Sequence, residues 1–173
     1  MTPPDTLIDA IRLLVFPGLM AFAAASDVVT MTISNKVSLA LIGGFLVVAV
    51  STGLGGSDIA LHFAAGATVL MAGFACFACG WIGGGDAKLA AATALWFGFE
   101  GLLSYLFAAS LIGGGLTLLM MQFRMLPLPQ LLRGQTWAER LHSKDAGVPY
   151  GVALAAAALL LYPDTIFMKP FGP

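Results

Sequence analysis

Apolar residues run along this chain in six blocks that are separated by short polar stretches. The blocks cover residues 7–25, 37–54, 59–82, 89–99, 102–123 and 148–162. A helix that crosses a bilayer core needs about 20 mostly apolar residues, and five blocks can provide this, some by including polar ends. The block 89–99 makes only about 16 Å of helix, and starting it at Asp86 lengthens it. The pattern predicts an all-α integral membrane protein, a polytopic bundle of about six transmembrane helices in one domain over 1–173.

Composition narrows the class of protein. Of the 173 residues, 59% are hydrophobic and 10% are charged, and the mean hydropathy is +0.93. Soluble domains carry roughly a quarter charged residues, because a folded surface in water needs them. A soluble chain of this length cannot bury so much apolar surface. The net charge of −1 and the lack of a basic block argue against nucleic acid as a partner.

Charge gives the orientation of the predicted helices. The longest polar segment, 124–147, contains Arg124, Arg133, Arg140 and Lys144. Basic loops stay on the cytoplasmic side, so this segment is predicted to be a cytoplasmic loop. Alternation of six helices then places the segments 27–36 and 83–88 on the same side. Asp27 and Asp86 are therefore predicted at the cytoplasmic face, and Asp58, Glu100 and Asp164 at the opposite face.

The two cysteines do not predict a metal or redox site. Cys76 and Cys79 have a C-x-x-C spacing within an apolar run. Structural zinc needs four ligands, and the chain has no second cysteine pair. We interpret both as small buried helix residues, and we predict neither a metal nor a cofactor.

Asp27 and Asp86 are the strongest candidates for chemistry. Acids at membrane depth are costly and often functional, although solvated loop carboxylates are a simpler reading. Three glycines precede Asp86 at 83–85, and an aspartate there also suits a helix cap. Two adjacent carboxylates share one proton. The charged one activates water while the protonated one polarises a peptide carbonyl. Spacing alone leaves open whether these two residues meet.

Motifs around the two acids resemble those of the type IV prepilin peptidase family. They read Ser-Asp at 26–27, Ile-Ser-Asn at 33–35, Gly-Gly-Gly-Asp-Ala-Lys-Leu at 83–89 and Val-Pro-Tyr-Gly at 148–151. The stretch 83–89 is similar to the family's G-x-G-D followed by Lys-Leu, and the last motif to its Pro-Tyr-Gly. The order and topology match over nearly the whole chain. The resemblance is strongest to the short form that serves Flp/Tad-type pili, the CpaA or TadV type.

The resemblance implies an intramembrane aspartic endopeptidase without a cofactor. It would cut the basic leader from pilin-like precursors at the cytoplasmic face of a bacterial inner membrane. Besides the precursor, its implied partners are membrane lipid and, as a further candidate, pilus assembly machinery. The catalytic residues would be Asp27 and Asp86, and the supporting residues Asn35, Gly83, Gly84, Gly85, Lys88 and Tyr150. N-methylation, known in longer members, is not predicted here. The family's Ile-Pro-Asn is Ile-Ser-Asn in this chain, which predicts a more relaxed loop after the first acid.

Other readings of the same residues remain open at this stage. A small ion-coupled transporter would also use acids at membrane depth, but it commonly shows internal repeats, which we do not find here. A presenilin-like protease shares G-x-G-D but is longer and has its other acid in a different motif. A structural subunit that kept the fold would be expected to lack one aspartate. Lys88 could adjust the charge of the acid pair or anchor the helix at the membrane interface.

Overall fold

The computed structural model describes residues 6–168, and within that range the only regular secondary structure is helical. Its six α-helices are α1 (Thr6–Thr30), α2 (Asn35–Ser51), α3 (Gly56–Ala78), α4 (Gly84–Met125), α5 (Thr136–His142) and α6 (Tyr150–Leu161). Short 3-10 turns cover Gln130–Leu132 and Tyr162–Asp164. The prediction of an all-α membrane bundle is confirmed. The single domain over 1–173 stays a prediction, and its two ends lie outside the described residues.

Among the described residues, three helices are long and apolar enough to cross a membrane, namely α1, α3 and α4. The apolar helices α2 and α6 are shorter. Large side chains on the outer surface are apolar, with Leu103 78% exposed and Leu14 69% exposed. A water-soluble surface would not carry so many exposed apolar groups. Lipid accounts for this surface.

The helix α4 is bent sharply at Gly98, where φ is 58° and ψ is −172°. The rings of Phe97 and Tyr105 stack with centroids 5.1 Å apart, although eight residues span about 12 Å in a straight helix. The Tyr105 side chain also lies near Thr93. The arms 84–97 and 99–125 therefore fold back on each other. They correspond to the predicted fourth and fifth spans, with the break at Gly98 rather than near residue 100.

A histidine supports this bend from the neighbouring helix. Gly98 lies in a region of backbone conformation that is essentially restricted to glycine. The His62 ring of α3 packs over it, so that an added Cβ would lie 2.9 Å from the His62 Cε1. The His62 Nδ1 donates a hydrogen bond to the Leu95 carbonyl. Because the bend interrupts the helical hydrogen bonds, this side chain supplies a donor to a helical carbonyl just before the break.

An aromatic cluster fastens the helices together. Phe16 of α1 stacks on Tyr162 at 4.4 Å and packs against Trp96 at 4.8 Å between ring centroids. The Trp96 Nε1 donates to the Leu41 carbonyl of α2 at 3.1 Å. Phe16 and Trp96 are completely buried. This cluster joins α1, α2, α4 and the end of α6, and it fixes the helices that carry the two acids.

Candidate active site

Asp27 lies in the last turn of α1. This helix continues to Thr30, past the end of the apolar block 7–25 from which it was predicted. Its side chain is 5% exposed. The helix ends at Met31, which has a positive φ of 55° and donates its N–H to the Asp27 carbonyl at 2.8 Å. A left-handed residue is a common helix terminator, although glycine is the usual choice. The end of α1 thus holds a buried carboxyl group directly before a tight turn.

Hydroxyl groups define that turn. The Ser26 Oγ donates to the Thr32 carbonyl at 3.1 Å, and the Thr30 Oγ1 donates to the Ser26 carbonyl at 2.7 Å. Ser34 caps α2 by accepting from the Lys36 N–H, with φ −67° and ψ 138°. Proline fixes φ near −65°, so Ser34 keeps the conformation that the family's proline would impose. The loop after Asp27 is thereby defined by local hydrogen bonds rather than by a proline.

Ile33 wedges between two glycines that begin other helices. A Cβ added to Gly85 of α4 would lie 3.3 Å from the Ile33 Cβ. A Cβ added to Gly151 of α6 would lie 2.7 Å from the Ile33 Cδ1 and 2.8 Å from the Asp27 Oδ2. Side chains do not fit at such distances without displacing a neighbour. These two glycines therefore allow α1, α4 and α6 to converge on one point.

The Asp27 carboxyl group binds the first turn of α6. Its Oδ2 accepts the buried Gly151 N–H at 2.7 Å. Pro149, at the N-cap position of α6, makes no side-chain cap bond. Free N–H groups and the helix dipole favour an acidic group at this position. Asp27 of α1 therefore caps the N-terminus of a different helix, α6.

Asp86 is the third residue of α4 and is partly buried. Its carboxyl group faces back toward Gly83, where an added Cβ would lie 2.8 Å from the Asp86 Oδ2. The N-cap position is occupied by Gly83, so Asp86 does not occupy the N-cap itself but reaches back to it, as in a capping box. The Asp27 and Asp86 carboxylates are close enough to repel each other electrostatically. The structure thus brings the two predicted acids together.

Tyr150 lies on the Asp86 side of the site. Its hydroxyl donates to the Ala109 carbonyl at 3.3 Å. The ring occupies a slot left by Gly113, where an added Cβ would collide with the Tyr150 Cε2. One glycine of the 113–115 run is therefore required by this contact.

The other predicted supporting residues lie at the edge of the site. The Lys88 Nζ donates to the Asn35 Oδ1 at 3.0 Å, and both residues are exposed. This contact ties the start of α2 to the first turn of α4. A Cβ added to Gly84 would lie at an ordinary distance of 3.4 Å from the Phe77 Cε2 of α3. None of these side chains makes a hydrogen bond to either acid among the described residues.

Two arginines of the basic loop also stabilise the acid end of the bundle, and the sequence did not identify this role. The Arg140 Nη1 donates to the Val29 carbonyl at 3.1 Å, which satisfies an end of α1. Arg124 donates to the Leu141 carbonyl at 2.8 Å and to the Gly147 carbonyl at 2.7 Å. The loop is therefore fastened next to the turn that follows Asp27, and its positive charge alone did not predict this.

A cavity lies at the end of the bundle opposite the two acids. It has a volume of about 590 Å³ and is lined by residues that include Asp58, His62, Glu100 and Asp164. Its three acids are exposed, as expected from their predicted position away from the acid pair. Cys76 is partly buried, whereas Cys79 is exposed and ends α3, which corrects the prediction that both are buried. Within residues 6–168 no group of ligating side chains could hold a metal ion.

Comparison with known proteins identifies the family of the chain. No curated protein and no solved structure matches it significantly. Residues 14–118 match the type IV leader peptidase family, a range that contains both Asp27 and Asp86 and ends before α6. The match covers well over half of the chain, and it agrees with a bundle of apolar helices that holds two acids at one end. The chain belongs to the type IV leader peptidase family.

Proposed function

We propose that this peptidase is of the aspartic type and that Asp27 and Asp86 form its catalytic pair. The observation that carries the proposal is the convergence of two carboxyl groups from α1 and α4, one of them buried, at a single end of the bundle. Buried acids in a membrane protein need a reason, because they cost stability. A pair that shares a proton supplies one, since each acid requires the other for its work.

The chemistry follows from two carboxyl groups in different protonation states. The ionised carboxylate takes a proton from a water molecule as the water oxygen attacks the carbonyl carbon of the scissile peptide bond. The protonated carboxyl group donates a hydrogen bond to the carbonyl oxygen. The tetrahedral intermediate then collapses, the C–N bond breaks, and the amine leaves with a proton from a carboxyl group. No metal or covalent intermediate is needed in this scheme.

The remaining side chains have positioning roles in the proposal. Tyr150 borders Asp86 and is held in the Gly113 slot, which limits the space beside that acid. The Gly151 N–H fixes the orientation of the Asp27 carboxyl group. A charge-assisted hydrogen bond of this kind holds its partner more firmly than a neutral one. The catalytic geometry would therefore depend on the first turn of α6.

The proposed substrate is the leader of a pilin-like precursor, cut at the cytoplasmic face of the inner membrane. The family match supports a leader peptidase. The basic loop that begins at Arg124 is fastened to the acid end of the bundle, and basic loops favour the cytoplasmic side. Service to Flp/Tad-type pili rests on the motif resemblance. A transporter is disfavoured, because both acids make contacts at helix ends and do not line a path for ions through the bundle.

Co-expression with a candidate precursor tests the proposal. Wild type should remove the leader, seen as a shift on a gel. Asp27→Asn and Asp86→Asn should each lower cleavage at least about a thousandfold, because asparagine keeps the shape but loses the titratable proton. Glu100→Gln, at the far cavity, is the matched control and should cut normally. Normal cleavage by either aspartate variant would reject the catalytic pair.

A further inference from the structure

A groove on the side of the bundle has one polar end. It lies between α2, α3 and α4, on the outside of the helices, and has a volume of about 450 Å³. Its polar lining residues are Asn35, Ser38 and Lys88, and all the others are apolar. The floor is closed by Gly66, where an added Cβ would lie 3.1 Å from both the Ala91 carbonyl oxygen and the Leu95 Cγ.

The lining of the groove changes from polar to apolar residues along its length. On α4 the groove runs from Lys88 to Leu95, which is about 10 Å along a helix. Asn35 and Lys88 mark one end, joined by their hydrogen bond. Ile42, Phe63 and Leu95 line it farther from that end. The groove therefore passes from a charged mouth at the acid end of the bundle to an apolar interior at lipid depth.

The mouth is positively charged. Lys88 is exposed there, and Lys36 is exposed in the first turn of α2. The N-terminus of α2 adds its positive dipole end. Below the mouth, Ser38 is 7% exposed and its hydroxyl has no hydrogen-bond partner in the part of the chain that the structure describes. Buried hydroxyl groups are usually paired, so this one indicates a polar partner in the groove.

The groove does not lead directly to the acids. Lys88 follows Asp86 by two residues, so their side chains leave α4 about 200° apart, on nearly opposite faces. The loop residue Ile33, packed on Gly85, lies beside this end of α4. A precursor helix in the groove would therefore not present its peptide bond to Asp86. An occupant that needs only a charged head and an apolar tail fits the groove better.

We propose that this groove binds an anionic phospholipid. Its phosphate would lie at Lys88 and Asn35, a fatty-acid ester oxygen would accept from the Ser38 hydroxyl, and the acyl chain would extend from there toward Leu95. Basic sites between transmembrane helices recognise anionic headgroups in this way. The site is distinct from the proposed acid pair, because within residues 6–168 no side chain of the groove makes a hydrogen bond to either acid.

Native mass spectrometry of the delipidated protein tests the site. The protein is titrated with phosphatidylglycerol and, separately, with phosphatidylcholine of the same acyl chains. Wild type should bind one phosphatidylglycerol in preference to phosphatidylcholine. Lys88→Gln should weaken that binding roughly fivefold, and Ala67→Trp, which fills the groove from an exposed position, should abolish it. Lys144→Gln and Ala72→Trp are exposed residues outside the groove and serve as matched controls.

The outcomes separate the possible occupants. Selective loss in Lys88→Gln and Ala67→Trp, with both controls unchanged, supports the lipid site. Equal binding of the two lipids, or equal binding by all variants, overturns it. A photo-crosslinking residue in place of Leu70 gives a second readout. If it captures a co-expressed precursor and excess phosphatidylglycerol does not compete, the groove is a substrate site and the proposal is wrong.

Discussion

The two ends of the bundle both carry acids, but they hold them differently. At one end, Asp27 is buried and Asp86 partly buried, in a packed convergence of three helices. At the other end, Asp58, Glu100 and Asp164 are exposed around a larger cavity. Cavity size alone would select the second end as the active site. We propose the first end, because Asp27 is buried there within electrostatic range of Asp86, and the family match contains both acids.

The glycines of the two ends differ in the same way. Near the acids, Gly151 and Gly85 are needed because other side chains occupy the space where a Cβ would lie. At the far end, Gly98 is needed for a backbone conformation that other residues avoid. The first kind allows the helices to converge on the proposed acid pair, and the second allows α4 to turn. Substitutions should therefore affect activity at one end and stability at the other.

Apart from substitution of the two acids themselves, the largest effect is expected from Gly151→Ala. The new methyl group would meet the Asp27 Oδ2 and Ile33, and it would shift the carboxyl group out of line. Misplacement by about 1 Å can cost a hundredfold in rate, so leader cleavage should fall by about that factor. Gly114→Ala is the control, because nothing lies within 4 Å of its Cβ position. Equal cleavage by both variants would show that α6 does not position Asp27.

Gly98→Ala should mainly affect stability. Its φ of 58° would cost alanine about 1–3 kcal/mol in the free energy of unfolding, and the methyl group would also press on His62. Thermal unfolding in detergent measures the loss, and residual cleavage per folded molecule should stay near wild type. Gly115→Ala, which meets no neighbour, should not destabilise. An unchanged midpoint for Gly98→Ala would mean that α4 turns without this glycine.

Ser34→Pro should change stability by less than about 1 kcal/mol, because the lost cap bond and the reduced freedom of the unfolded chain offset each other. Ser143 offers a matched control with φ −62° and ψ 133°. Its N–H is bonded to the Glu139 and Arg140 carbonyls, so Ser143→Pro should destabilise the loop. Limited proteolysis compares the two. Greater sensitivity of Ser34→Pro would contradict the assigned turn.

The smallest effect is expected from neutralising the far acids. The triple variant Asp58→Asn, Glu100→Gln and Asp164→Asn should cut within about twofold of wild type, because salt screens charges beyond about 10 Å. The precursor gel assay measures this. A large loss would place functional chemistry at the far cavity and would remove the distinction between the two ends.

Much of the fold was predictable from the sequence because a bilayer imposes simple rules. Block length predicted the spans, and alternation of basic loops predicted that Asp27 and Asp86 share one face. The turn at Gly98 was not predicted, because its cause is tertiary: the His62 ring and its hydrogen bond come from another helix. The only local signal was a glycine near the end of the apolar block 89–99, and many packed helices contain such glycines.

The two acids of the candidate site were predictable from the sequence, but the contacts that hold them in place were not. The motif at 148–151 pointed to Tyr150, whereas the closer contact to Asp27 is made by the Gly151 N–H. A backbone donor leaves no mark in residue type, so only its glycine could have suggested it. Arg124 and Arg140 were interpreted through charge, but both bind backbone carbonyls. Such contacts depend on how the loop folds onto the helices.

The central claim is that the two acids act as one unit, and a double-mutant cycle tests it most directly. Cleavage rates are measured in proteoliposomes for wild type, Asp27→Asn, Asp86→Asn and the double variant. Residues that act as a unit are strongly non-additive, so each single variant should lose at least about a thousandfold and the double variant should be no slower than either. A double variant whose loss equals the product of the single losses would contradict the account, as would a single variant that cuts at the normal rate.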